Sequence, residues 1–120
     1  MYIEYIDGIK LREMFWAAAQ FLEKNKQALN ALNVFPVPDG DTGTNMSLTM
    51  MAAIKEMQGT NANTVAQVAD AISKGSLKGA RGNSGVILSQ LFRGFSRALQ
   101  DKEKMSTREC AIALQEGAKT

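Results

Sequence analysis

The chain contains no histidine. That removes the commonest general base and the commonest transition-metal ligand. Any chemistry must therefore rest on carboxylates, lysine, arginine, hydroxyls or a bound hard cation. There is one cysteine, Cys110, so no intrachain disulfide can form, in keeping with a reducing compartment. Its place in a helix-like stretch reads as packing. No apolar run approaches the roughly 20 residues that span a bilayer. The first ten residues, Met1 to Lys10, lack the basic start and apolar run of a signal peptide. A cytoplasmic protein without a transmembrane segment is the expectation. Charge of one sign is also lacking: 14 Lys and Arg stand against 12 Asp and Glu, a net charge of +2. A nucleic-acid binder would normally carry a basic patch or stripe, so no nucleic-acid partner is expected.

What is present is an ordinary globular composition, 45% hydrophobic and 22% charged over 120 residues, enough for one domain or part of one. No strand alternation is long enough to build a sheet, and the periodicity predicts five helices. Asp7 can cap the first, with Ile6 as a staple. Ile9, Phe15, Leu22 and Leu29 recur along it, with Met14, Ala18, Phe21, Ala28 and Leu32 beside them. It should stop near Asn33, because Pro36 and Pro38 cannot continue it. A second helix begins near Thr42 to Thr44, buries Met46, Met50, Ile54 and Met57, and can end at Gly59. Thr64 with Gln67 forms a capping box for a third, with Val65, Val68 and Ile72 inward. The four glycines between Gly75 and Gly85 break that pattern. A fourth helix then carries Val86, Ile87, Leu91, Phe95 and Leu99. Ser106 with Glu109 opens a fifth that runs to about Ala118, with Met105 and Cys110 at the staple positions. Five amphipathic helices imply an all-α antiparallel bundle. The methionines are most simply core filler, with a Met-lined ligand pocket as the alternative. The fifth helix reaches almost to Thr120 with no tail, which reads as a domain truncated at its C-terminus. An apolar face left open would favour self-association, including a homodimer.

Two loops carry the chemistry. The first runs from Asn33 to Met46, NVFPVPDGDTGTNM. Asp39 and Asp41 flank Gly40, and in a turn they can point at a common centre. Oxygen ligands without sulfur or imidazole suit a hard cation, and two carboxylates suit Mg²⁺ that completes its shell with water and phosphate. Pro-Asp-Gly is equally a common turn, with Asp41 or Thr42 as a helix cap. The second loop is Gly79 to Gly85, GARGNSG. Its glycines and the helix start that follows suit an anion. Arg81 can pair with a phosphate, and Asn83 and Ser84 can donate. It is not a Walker A loop, since no Gly-Lys-Ser/Thr follows, and an ordinary helix connection capped by Asn83 or Ser84 would look the same. Taken together, one loop offers carboxylates for a cation and the other a helix start for an anion, as a metal–nucleotide requires. Phosphoryl transfer needs positioning and charge neutralisation rather than histidine. Lys24, Lys26, Arg93 and Arg97 read as solvated faces.

NVFPVPDGDTGTNM and GARGNSGVILSQ (Gly79 to Gln90) resemble the signature loops of the ATP-binding subunit of bacterial fatty acid kinase. More broadly they resemble the DhaL-like domain of the dihydroxyacetone kinase superfamily. The resemblance covers nearly the whole chain, from about Asp7 to Thr120. It implies the first five helices of an eight-helix antiparallel barrel that holds ATP at one end. It implies Mg²⁺ on Asp39 and Asp41, the residues on which catalysis would rest. Thr42, Thr44 and Asn45 would lie at the nucleotide, and Gly82, Asn83, Ser84 and Gly85 would form the phosphate-binding turn. The reaction implied is phosphorylation of a fatty acid carboxylate presented by a separate DegV-like fatty-acid-binding carrier protein, giving an acyl phosphate for phospholipid synthesis. Two positions depart from the dihydroxyacetone kinase branch. Val34 stands where that branch has a further aspartate, with Asn33 beside it to supply the third metal oxygen, and Thr42 stands where it has histidine. Both favour the fatty acid branch. A triose kinase subunit and a non-catalytic helical interaction module are the alternatives.

Overall fold

A computed structural model describes residues 5–32 and 41–119. The chain order is β1 (Tyr5–Asp7), α1 (Gly8–Leu32), α2 (Thr42–Gln58), α3 (Val65–Lys78), α4 (Gly82–Ala98), β2 (Lys104–Ser106) and α5 (Thr107–Lys119). Each helix packs on the next in sequence, α2 also packs on α4, and α1 on α3. The expected all-α bundle is therefore present, with one addition. β1 and β2 pair antiparallel, with Ile6 opposite Met105. Three residues are too few for alternation to be read, and the ribbon exists because both side chains are buried in the core.

Three helices begin with the caps that the residue order predicts. Asp7 Oδ1 accepts from the Lys10 N–H at 2.8 Å. Thr64 and Gln67 form a complete capping box, and Val65 and Ala66 donate further to the Glu103 and Lys102 carbonyls at 3.0 and 3.1 Å. Ser106 and Glu109 exchange the same pair of bonds, 3.1 and 2.8 Å. Gly59 ends α2 at φ −80°, in the ordinary right-handed region. These three starts gather at one end of the bundle, where Gly8 lies against the Asn63–Thr64 backbone.

The core joins Leu11, Phe15 and Ala19 of α1 to Met50, Ile54, Val68, Ile72, Phe92 and Phe95, with Leu99 and Met105 beyond. The Phe15 ring meets Phe92 and Phe95 edge-on, at 5.7 and 6.1 Å between centroids. Met50, Met57 and Met105 are buried as filler, and Cys110 packs half-buried against the core, its thiol pKa raised by desolvation.

Several expected inward positions turn out otherwise. Ile9 and Phe21 of α1 are 65% and 71% exposed, and Met14 is exposed as well. On α4, Ile87 is 68% exposed and Val86 is exposed too, whereas Gly85, Ser89 and Phe92 face inward. α3 does not break at Gly75 but continues to Lys78; glycine is needed there because a Cβ would strike Glu56 and the Ala52–Ala53 backbone of α2. On α3 and α4 the reason is close approach: Gly75, Gly85 and Ser89 take the inner face, and larger apolar residues turn outward. The buried polar residues Ser47, Thr49, Ser76 and Ser89 follow suit. Their hydroxyls donate to the Glu23 carboxylate and to the Asn45, Ser73 and Val86 carbonyls, so burial leaves none of them unsatisfied.

The start of α5 makes a pH-dependent prediction. A hydrogen bond from Lys102, then one from the Ser106 N–H, holds the Glu109 carboxyl below its ordinary 4.5, at about 2. A carboxylate depressed in the folded state stabilises the fold above its unfolded pKa and loses that contribution as pH falls through the folded value. Glu109→Gln should therefore lower the urea midpoint at pH 7. The gap to the parent should close between about pH 4.5 and about pH 2, followed by circular dichroism.

Candidate functional site

Both motif loops lead into helices that start at the other end of the bundle from the three capped ones. α2 and α4 run the opposite way to α1, α3 and α5, so their N-termini meet. Asp41 occupies the N-cap position of α2 and Arg81 that of α4, and neither gives a side-chain cap bond. Asn83 and Ser84 fall inside the first turn of α4 and are not its caps. The N–H groups of a helix's first turn have no partner within the helix and carry the positive end of its dipole. Two such ends side by side, neither capped by its own N-cap residue, form a surface suited to an anion.

The adjacency is specified by two contacts. Gly82 has φ +65°, and a Cβ on it would lie 2.5 Å from the Asn45 amide nitrogen. Only glycine adopts that conformation without cost, and only glycine lets the α4 turn rest on Asn45. Thr49 does the rest. Its hydroxyl donates to the Asn45 carbonyl at 2.8 Å and accepts from the Arg81 N–H at 3.1 Å, so α2 holds the start of α4 through one side chain. Gly85 is buried against that same hydroxyl, where a Cβ would overlap it.

The third element is the C-terminal half of α1. Gly43 is buried against the Lys26 carbonyl. Asn30 bonds Thr44 twice: its Nδ2 donates to Thr44 Oγ1 at 2.8 Å, and its Oδ1 accepts from the Thr44 N–H at 3.0 Å. Two turns earlier on α1, Glu23 accepts from both Lys26, at 2.7 Å, and the Ser47 hydroxyl. Lys26 first and Ser47 second lower the Glu23 pKa.

The expected site residues are thus brought together as far as they are described. Asp41 is exposed at the rim; Thr42, Thr44 and Asn45 are half-buried along the first turn of α2; Gly82, Asn83, Ser84 and Gly85 form the first turn of α4. Arg81 is exposed beside them. Asn33 and Asp39 lie outside the described residues. Among the described residues no group of three or more acidic, cysteine or histidine side chains could hold a metal. Asp41 is the carboxylate that the described part offers. A donor set of helix-start N–H groups, Asn45 and Arg81 fits a phosphate, and the carboxylate at its edge fits the cation that a polyphosphate brings. A cleft lined by Glu56, Thr60, Asn61 and Asp70 lies near the C-terminus of α2, away from this surface.

Asn30, Thr49 and Glu23 are the residues that sequence reasoning missed. Thr49 sits inside an apolar run, and Asn30 closes an amphipathic helix. Neither has a local signal, because each acts on another helix.

Two helix N-termini converging beside a carboxylate make an anion-binding surface with a cation ligand at its edge. The chain belongs to the DAK2 domain family, a dihydroxyacetone kinase family, and the match spans residues 36–120. Over 117 residues it is 53% identical to Protein YloV of Bacillus subtilis, a match that covers 98% of this chain and 21% of that protein. It is 44% identical over 118 residues to an uncharacterized protein of Staphylococcus saprophyticus, with 98% and 21% covered. With an uncharacterized protein of Staphylococcus aureus (strain USA300) the identity is 43% over 118 residues, with 98% and 22% covered. The chain therefore spans about a fifth of the length of these curated relatives. No helix among the described residues is long and apolar enough to cross a membrane.

The contrast between two glycines tests the geometry. Gly82→Ala should destabilise the chain by about 1–2 kcal/mol, the cost of a side chain in the left-handed region, and displace Asn45. Gly59→Ala, at φ −80° with nothing nearer than 3.5 Å, should be neutral or stabilise by up to about 1 kcal/mol. Urea unfolding of the two variants measures both.

Proposed function

We propose that this chain is the ATP- and magnesium-binding part of a kinase that phosphorylates the carboxylate of a fatty acid. The acid would be presented by a separate DegV-like fatty-acid-binding carrier protein, and the product would be an acyl phosphate for phospholipid synthesis. One observation carries the nucleotide half of this reading: in a DAK2 domain, two helix starts whose own N-cap residues make no side-chain bond lie against each other at Asn45 and Gly82. The first-turn N–H groups of α4 and the Arg81 guanidinium would take the phosphate oxygens. Asp41, with Asp39 of the same loop, would hold Mg²⁺, which supplies charge neutralisation when bound. Asn45, between the two helix starts, can hydrogen-bond a phosphate oxygen and orient it. A site built this way works by positioning and electrostatics, which explains why a chain without histidine suffices.

A second acceptor, a small triose such as dihydroxyacetone, is favoured by the family match itself. Val34 and Thr42, which replace the aspartate and histidine of that branch, support the carboxylate instead.

Calorimetric titration of ATP into the chain, with and without Mg²⁺, tests the nucleotide half. Magnesium-dependent binding should weaken by about tenfold or more, equivalent to about 1.4 kcal/mol, when Asp39→Asn and Asp41→Asn are combined. A folded chain that binds no nucleotide would mean either that further helices complete the site or that this is an interaction module, and the same titration on the longer protein decides between the two. For the acceptor, the protein that carries this domain should turn over ATP with a fatty-acid-loaded carrier and not with dihydroxyacetone. The opposite pattern would assign the triose.

A further inference from the structure

We propose that Asn30 is the N-cap side chain of α2, supplied from α1, and that by taking this role it keeps the Asp41 carboxylate available to a ligand. Aspartate is among the preferred N-cap residues because its side chain accepts from the N–H two or three positions on. Asp41 occupies the N-cap position of α2, and Thr44 is the residue three positions on. Yet Asp41 makes no side-chain cap bond. The Thr44 N–H goes instead to Asn30 Oδ1 at 3.0 Å, while Asn30 Nδ2 donates to the Thr44 hydroxyl at 2.8 Å. In Asp7, Thr64 and Ser106 the same chain has local side chains that do cap their own helices. The exchange at α2 is therefore specific to the helix that bears the motif. A carboxylate engaged by its own helix would have fewer lone pairs and a less favourable direction for a cation. An amide from the neighbouring helix satisfies the orphan donor with no charge. Asn30 is thus a positioning residue for Asp41, and the ligand it serves is the cation assigned by the proposed function, on which this inference rests.

A double-mutant cycle in the 120-residue chain separates this role from simple packing. In the parent, Asp41→Ala should leave the urea midpoint unchanged, because the carboxylate caps nothing. In the Asn30→Ala background, where Asp41 becomes the nearest available cap, Asp41→Ala should lower the midpoint further. Equal effects in both backgrounds would overturn the proposal, since a purely structural Asn30 gives additive losses. Should Asn30→Ala not fold, the parent still decides. Amide exchange at Thr44 should be as slow in Asp41→Ala as in the parent, and faster exchange would show that Asp41 is the cap after all. Asn30→Asp, which keeps the acceptor for the Thr44 N–H, should leave Asp41→Ala silent, whereas an added loss would count against the proposal. Magnesium-dependent ATP affinity should fall in Asn30→Ala and recover in Asn30→Asp. If the parent binds no nucleotide, the cycle still decides the capping role, and titration of the whole protein that carries this domain tests the kinase reading.

Discussion

The structure depends on α1 satisfying both ends of α2. At one end Asn30 takes the Thr44 N–H and hydroxyl. At the other, the Arg12 guanidinium donates to the Met57, Thr60 and Ala62 carbonyls at 3.3–3.4 Å. Helix ends leave backbone groups without partners, and burying them unpaired is costly. By supplying partners from a neighbour, α1 sets the position of α2 along the bundle as well as its direction. The apolar stripe of Leu11, Phe15 and Ala19 then packs between the two clamps. α2 in turn carries Thr49, which places the start of α4. The order of dependence runs from α1 through α2 to the first turn of α4.

That order explains why the two ends of the bundle differ. At the end where α1, α3 and α5 begin, local caps and the β1–β2 ribbon close off the backbone groups. At the end where α2 and α4 begin, no local side chain caps either helix, and Asp41 and Arg81 stand exposed at the starts. Asn30 of α1 caps α2 instead, whereas α4 has no side-chain cap and forgoes about 1 kcal/mol. The first turn of α4, without a side-chain cap, presents its dipole end in a way that suits an anion. Membership of the DAK2 family gives this asymmetry a chemical context.

Much was legible from residue order. The Asp7, Thr64–Gln67 and Ser106–Glu109 starts are all present, and α2 begins at Thr42 as the loop after the prolines predicts. The two glycine-rich motifs mark the residues that meet. The inward faces of α1 and α4 were less legible. Ile9, Phe21, Val86 and Ile87 are apolar at helical spacing yet exposed, while Ser89 and Gly85 are buried. On α4, hydropathy ranks side chains by their wish to leave water, but the close contact with Thr49 of α2 admits only residues as small as Gly85.

By itself the sequence determined the all-helical class, most helix limits and the identity of the motif residues. Each of these rests on hydrogen bonds or periodicities between residues a few positions apart, so the order of residues contains them. Only the tertiary structure decided that Asn45 and Gly82 touch, that Thr49 links the two helix starts, and that Asn30 rather than Asp41 caps α2. Those relations join residues 14 to 37 positions apart. They follow from how antiparallel helices slide and face one another once the core is packed, and no local pattern encodes that.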